Sequence, residues 1–299
     1  MKHEENDALS RCHPLVSFCF FIGAICLAAL TMHPACILLS ACCGICYYCL
    51  LKGRKAVRTL RMLIVLFAVV TLINPLLNTE GERVLGFVFG RPYTLEALIY
   101  GMVIAGLLCA VLVWAACFTA VMSSDKFITL FGRVIPAISL VLLMVLRLVP
   151  NMLRKTKQIA GARKAVGKGA AENASLKEKA RDSLLVLSAL LSWTLEGGLV
   201  TADAMRARGY QTGRRSSFRI MEMKAGDILL LVLMAVLAAL AIVMVVSGGC
   251  DASFTPKLSV SPVGGRYALH FAAYAVFLAL PVVLYIKETV LWTISRSRI

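Results

Sequence analysis

The chain reads as long apolar runs divided by short polar turns, and the lengths of those runs set the first expectations. A helix needs about twenty apolar residues to cross the hydrocarbon of a bilayer, or about seventeen at the short limit. Leu15 to Met32 and Ala35 to Leu51 each qualify, separated by His33-Pro34, whose proline favours a break. The next turn carries Lys52, Arg54, Lys55, Arg58 and Arg61, so it is expected on the cytoplasmic side, because positive flanking charge resists translocation. Met62 to Leu77 returns outward and ends in Asn74-Pro75; Asn78 to Glu96, with both signs of charge, reads as an external loop; Leu98 to Met122 crosses back. Further on, Ile228 to Val246 spans again, Gly248 to Gly265 with Pro256 and Pro262 is external, and Tyr267 to Ile286 returns inward. The pattern predicts six spans with both termini cytoplasmic.

Two other apolar stretches do not fit this alternation. If Phe127 to Val149 crossed the bilayer, the most basic region of the chain would lie outside. It is interrupted by Gly132, Arg133 and Pro136 and carries Arg147, so it is expected along the inner leaflet or packed under the other helices. Leu184 to Val200, broken by Ser188, Ser192, Glu196 and Gly197-Gly198, is likewise expected as a partly buried helix on the cytoplasmic side. Three regions follow: 1–122 with about four spans, 123–224 on the inner face, and 225–299 with about two spans. The fold class is all-α and polytopic.

Composition agrees with a membrane protein: 60% of the 299 residues are hydrophobic and only 16% are charged, against roughly a quarter charged in soluble domains. The net charge of +16 could suggest nucleic acid, but the cations gather in loops and juxtamembrane turns without interleaved aromatics. Sixteen of the thirty-two Lys and Arg residues fall between Arg147 and Lys224, against six Asp and Glu. Partners expected from this pattern are the bilayer with its anionic head groups, or an acidic protein surface, and no nucleic acid. Met1 to Arg11 mix both signs of charge and have no apolar core before them, so no cleavable signal peptide is expected, and the first apolar segment reads as an uncleaved anchor in a cell membrane, plasma or inner. Cys43, Cys46 and Cys49 repeat the C-x-x-C spacing inside an apolar segment with no nearby His or acid, which reads as small residues packing one face of a membrane helix.

Within the basic block two helices are expected. The first starts near Pro150, a favourable first-turn residue, and runs towards Gly167. The second starts near Ser175, with Glu178 three residues on as a capping box, and runs to Arg208 before Gly209. Each then ends in a small residue, a side chain and a glycine: Ala165-Val166-Gly167 and Ala207-Arg208-Gly209. Alanine permits close approach, glycine stops the helix, and an arginine fork can grip a carboxylate or backbone carbonyls on another protein. The simpler reading is a cation at a helix C-terminus.

Arg147-Leu148-Val149-Pro150, the spacing of seventeen residues from Pro150 to Gly167, and Ala202-Asp203-Ala204-Met205-Arg206-Ala207-Arg208-Gly209-Tyr210 together resemble the transmembrane T component of energy-coupling factor transporters, the EcfT/CbiQ family. The resemblance extends more weakly to Asn74-Pro75-Leu76 and Ser123-Ser124-Asp125-Lys126. It implies a non-catalytic scaffold without cofactors, joining two cytoplasmic ATP-binding cassette ATPases to a small substrate-binding membrane subunit, the S component, for uptake of a vitamin or a transition-metal ion. It also implies that Ala207, Arg208 and Gly209 dock on one ATPase, and Ala165, Val166 and Gly167 on the other. Val166 stands where arginine is expected: either that end docks by packing alone, or Arg163 or Lys168 supplies the charge. Cys12-His13-Pro14-Leu15 likewise replaces an Asp-Pro-Arg-like element.

Other chemistry finds little in the chain. The run Gly161 to Gly169 has five residues between Gly161 and Gly167 where the phosphate loop needs four, and Gly169 follows its lysine in place of Ser or Thr. His3, His13, His33 and His270 are scattered without a metal-binding spacing, and His270 is expected to pack or hydrogen-bond within its span. Glu196 and Asp203, two turns apart on one helix face, are expected to meet nearby cations. The rival classes are an autonomous channel or secondary carrier, disfavoured because no internal repeat is evident, and an intramembrane enzyme, which needs ionisable groups within the spans.

Overall fold

The computed structural model describes residues 9, 12–78, 84–88, 91–123, 126–127, 130, 136–169, 175–210, 212–213, 223–248, 252–253, 259–260 and 267–296. They divide into two compact units, Met1–Phe127 with Glu222–Ile299, and Ile128–Met221.

The first unit is a helical bundle. Its helices are α1 (Pro14–Leu30), α2 (Pro34–Lys52), α3 (Ala56–Leu77), α4 (Leu95–Val121), α7 (Ala225–Val246) and α8 (Ala268–Arg296), with α5 (Pro136–Ala165) and α6 (Leu176–Ala207) belonging to the other unit. α1 and α2 begin alike. His13 and His33 sit at the N-cap before a proline, and each imidazole Nδ1 accepts a 3.2 Å bond from the N–H two residues on, of Leu15 and Ala35. The proline fits because a first-turn N–H has no helical acceptor. His13 thus fills an N-cap role that an aspartate could also fill.

Between α2 and α3 the chain makes one 3-10 turn, Gly53–Lys55, with Gly53 at φ 54. Arg58 and Arg61 therefore lie on the first turns of α3 and not in a loop, as their local charge had suggested. At the other end, Asn74-Pro75 does not stop α3, which runs on to Leu77. Pro75 has no N–H, so it cannot bond the Thr71 carbonyl four residues back. Gly101 of α4 packs over this place: a Cβ there would lie 3.0 Å from the Thr71 carbonyl oxygen and 2.8 Å from Asn74 Cβ.

α4 packs against α1, α2 and α3, while α7 packs against α1 and α8, and α8 also against α2. Phe20 lies at the centre, with its ring 5.7 Å from Trp114 and 5.2 Å from Phe277. Trp114 is fully buried and donates its indole N–H to Ser40 Oγ at 3.0 Å, which satisfies the one polar atom such a ring brings into a core. The inward face of α2 is Cys36, Ser40, Gly44 and Tyr47. Small residues do pack there, but Cys46 and Cys49 of the C-x-x-C pattern are exposed and Cys43 is half-buried, a correction to the expected packing face.

By length and composition, Pro34–Leu77, Leu95–Val121, Leu176–Ala207, Ala225–Val246 and Ala268–Val290 can each cross a membrane, and Pro14–Leu30 is a shorter apolar helix. Pro34–Leu77 contains the Gly53 turn and is two helices, so the first unit holds the six expected from the apolar runs. The protein is an all-α polytopic membrane protein. Two small antiparallel strand pairs, β1 (Val84–Val88) with β2 (Arg91–Thr94) and β3 (Ala252–Ser253) with β4 (Ser259–Val260), occur within the two segments read as external loops.

The second unit contains α5 (Pro136–Ala165) and α6 (Leu176–Ala207), packed on each other. Two expectations are corrected. α5 does not start at Pro150 but carries it inside, and α6 passes unbroken through Gly197-Gly198. α6 is also long and apolar enough to span, whereas the sequence pattern cast Leu184 to Val200 as an interrupted inner-face helix. Part of Phe127 to Val149 and the basic run 214–219 lie outside the described residues.

Candidate functional site

α5 and α6 meet as an antiparallel pair, and two polar contacts give the register. Lys155 Nζ lies 5.2 Å from the centre of the Trp193 ring, a distance at which the ring face attracts a cation. Eight residues along α5, and eleven back along α6, Arg163 meets Asp182 at 2.6 Å. Val186 and Leu190 lie between these contacts and are the buried residues of α6. α6 opens on the expected capping box: Ser175 Oγ accepts from the Glu178 N–H at 3.3 Å, and the Glu178 carboxylate accepts from the Ser175 N–H at 3.0 Å.

The two helix ends have the same backbone. After α5, Gly167 has φ 73, its N–H donates to the Lys164 carbonyl at 3.0 Å, and the Lys168 N–H donates to the Arg163 carbonyl at 2.9 Å. After α6, Gly209 has φ 76, its N–H donates to the Arg206 carbonyl at 3.0 Å, and the Tyr210 N–H donates to the Met205 carbonyl at 3.0 Å. Both are Schellman ends, in which a left-handed residue turns the chain back so that two orphan carbonyls gain donors. Antiparallel pairing puts them towards opposite ends of the hairpin. With Arg163 level with Asp182, Val166 is level with about residue 179, so some 29 residues of α6 separate it from Arg208, about 43 Å at 1.5 Å per residue.

Their side chains differ. Ala207 and Arg208 are exposed at the second end, and Arg208 makes no ion pair among the described residues. At the first end Ala165 and Lys168 are exposed and Val166 is 72% exposed, a valine tip held out from the helix. Arg163 is turned inward: it donates Nε and Nη2 to Asp182 Oδ1 at 2.8 and 2.6 Å, and Nη2 also to the Lys168 carbonyl at 3.0 Å.

Asp182 is the residue that reading the sequence missed. The signal was an acid near the start of one helix opposite an arginine near the end of its antiparallel neighbour. Glu196 and Asp203, expected to meet cations, are exposed and have no ion pair among the described residues. His270 is half-buried, with no hydrogen-bond partner for its Nδ1 among the described residues. No group of three His, Cys, Asp or Glu among the described residues is placed to hold a metal ion. α6 carries a further feature: Leu184, Leu187, Leu191, Leu195 and Leu199 recur at helical spacing and are all exposed.

A bundle of crossing-length helices, with a second unit that carries most of the net positive charge and ends two helices in capped turns, defines a multi-pass membrane protein. The cobalt transport protein family, CbiQ, matches residues 5–220, well over half of the chain, and the chain belongs to that family. It is a component of membrane transport. The match takes in both capped ends and stops before α7. A comparison with the curated proteins finds no match.

Proposed function

We propose that this chain is the transmembrane scaffold of an energy-coupling factor importer, in which α5 and α6 transmit ATP-driven motion to a substrate-capturing membrane subunit. The observation that carries this reading is the pair of long helices ending in the same glycine-capped turn at opposite ends of one hairpin. Each end presents a short exposed side chain on a rigid backbone, the form needed to seat in a groove of an ATPase. Two separated ends suit two ATPase subunits. The excess of Lys and Arg between Arg147 and Lys224 supports a cytoplasmic hairpin in a cell membrane, with both chain termini on that side.

In this reading ATP binding draws the two ATPases together, their grooves carry the helix ends with them, and the hairpin moves as a lever. The exposed leucines of α6 supply apolar surface for the small substrate-binding subunit, and that movement reorients it. The chain itself holds no nucleotide or cofactor in this scheme. The cargo is a vitamin or a transition-metal ion such as cobalt.

The test is purification from its own membrane in mild detergent, with the copurifying chains identified by mass spectrometry. Two ATP-binding cassette ATPases and a small membrane protein are expected, and uptake into vesicles should require ATP. A single pure chain that transports without ATP would sink the reading.

A further inference from the structure

We propose that Arg163 is a positioning residue: through Asp182 it clasps the first helix end to α6 and sets the pose in which Val166 meets its partner. This rests on reading the two ends as ATPase docking points.

A Schellman end brings the third residue from its last turn next to the residue after the glycine, commonly as an apolar pair. At the second end these positions hold Met205 and Tyr210. At the first they hold Arg163 and Lys168, two cations in place of the usual apolar pair. The structure resolves this by mutual bonding. The Lys168 N–H donates to the Arg163 carbonyl, and the Arg163 guanidinium donates back to the Lys168 carbonyl. Asp182, arriving from α6, accepts from Nε and Nη2 of Arg163 and supplies the negative charge opposite that guanidinium.

The clasp also spans two helices. It ties the turn that carries Val166 to the first turns of α6, between residues nineteen apart in the sequence. The chain after Gly167 is already folded back tightly, since a Cβ on Gly169 would lie 3.1 Å from Lys164 Cα. With Arg163 aimed at Asp182, the large apolar side chain that projects at this end is Val166, between the exposed Lys164 and Lys168. The surface it fits is a small apolar depression with an acidic rim, the rim facing the exposed Lys164 and Lys168.

The experiment uses the full chain in lipid nanodiscs, with and without the ATPases, and four variants: Arg163→Ala, Asp182→Ala, the double exchange Arg163→Asp with Asp182→Arg, and Arg208→Glu. Without ATPases, amide hydrogen exchange at Gly167 and Lys168 should rise about fivefold or more in each single clasp variant and fall back in the double exchange. With ATPases, retention should drop in both clasp singles and recover in the exchange. Unchanged amide exchange in the singles would refute the clasp. Loss of retention in Arg163→Ala but not Asp182→Ala, without rescue, would instead make Arg163 a direct contact and overturn the proposal. Arg208→Glu separates the two readings: retention indifferent to it defeats the docking function, whereas retention that falls there and not in the clasp variants defeats the positioning role alone.

Discussion

At Gly167 and at Gly209 the chain does the same thing with its backbone and different things with its side chains. Both glycines take a left-handed φ, and both turns hand two amide protons back to carbonyls of the last helical turn. Before the glycine, one end has Val166 and the other Arg208. Three positions further into the helix one end has an arginine committed to Asp182, and the other has Met205. The backbone geometry of such an end follows from a glycine and a few neighbours, so it survives when the exposed residue changes. What the end can bind follows from that residue and its surroundings. A charged tip and an apolar tip on one scaffold imply two unlike surfaces on the proposed partners.

The largest effect that would break this comparison is expected from Arg208→Glu. Reversing a charge seated against a complementary surface costs about 2–5 kcal/mol, so ATPase affinity, titrated on the nanodisc-embedded chain, should fall by at least about thirtyfold. An unchanged affinity would remove the docking role from Arg208 and with it the contrast between a charged and an apolar tip.

A middle-sized effect is expected from valine at the two glycines. A side chain in the left-handed region costs roughly 1–2 kcal/mol, more when β-branched. The two sites should not respond equally. A Cβ at Gly209 would lie 3.0 Å from Thr212 Oγ1, whose hydroxyl donates to the Gly209 carbonyl at 2.6 Å, whereas Gly167 has open space around it. Gly209→Val should therefore loosen its helix end more than Gly167→Val, read as faster amide exchange in the last turn. Equal responses would assign the whole cost to the backbone.

The smallest is expected from Val166→Ala. It leaves the free chain unchanged, because Val166 is largely exposed. Bound to ATPase it removes apolar contact worth about 1 kcal/mol or a little more, several-fold in affinity and well below the loss at Arg208. A loss as large as that at Arg208 would show that the apolar tip carries as much of the docking as the charged one.

Much of the candidate site could be read directly from the chain because its features are local. The capping box joins Ser175 to Glu178, and each Schellman end is closed within six residues, so a short window contains every partner. Pro150 misled for the same reason. It suits a helix start, but a long helix packed along one side tolerates the single bond it removes, and α5 runs through it. Gly197-Gly198 lowers helix propensity without stopping α6, since propensity is a weak prior over thirty-two residues. The C-x-x-C cysteines misled differently. A helix in lipid is apolar all round, so hydrophobicity does not reveal which face turns inward, and it is Cys36, Ser40 and Gly44 that pack.

From the sequence alone come the six apolar helices of the first unit, the basic block, the position of both glycine stops and the inequality of Val166 and Arg208, since each depends on residues adjacent along the chain. Tertiary structure decided the rest: that the two stops lie towards opposite ends of a hairpin, that Gly101 closes over the carbonyl released by Pro75, and that Arg163 faces Asp182. Those facts depend on how distant helices are registered against one another, and an arginine looks the same in a sequence whether it reaches a partner or holds its own fold together.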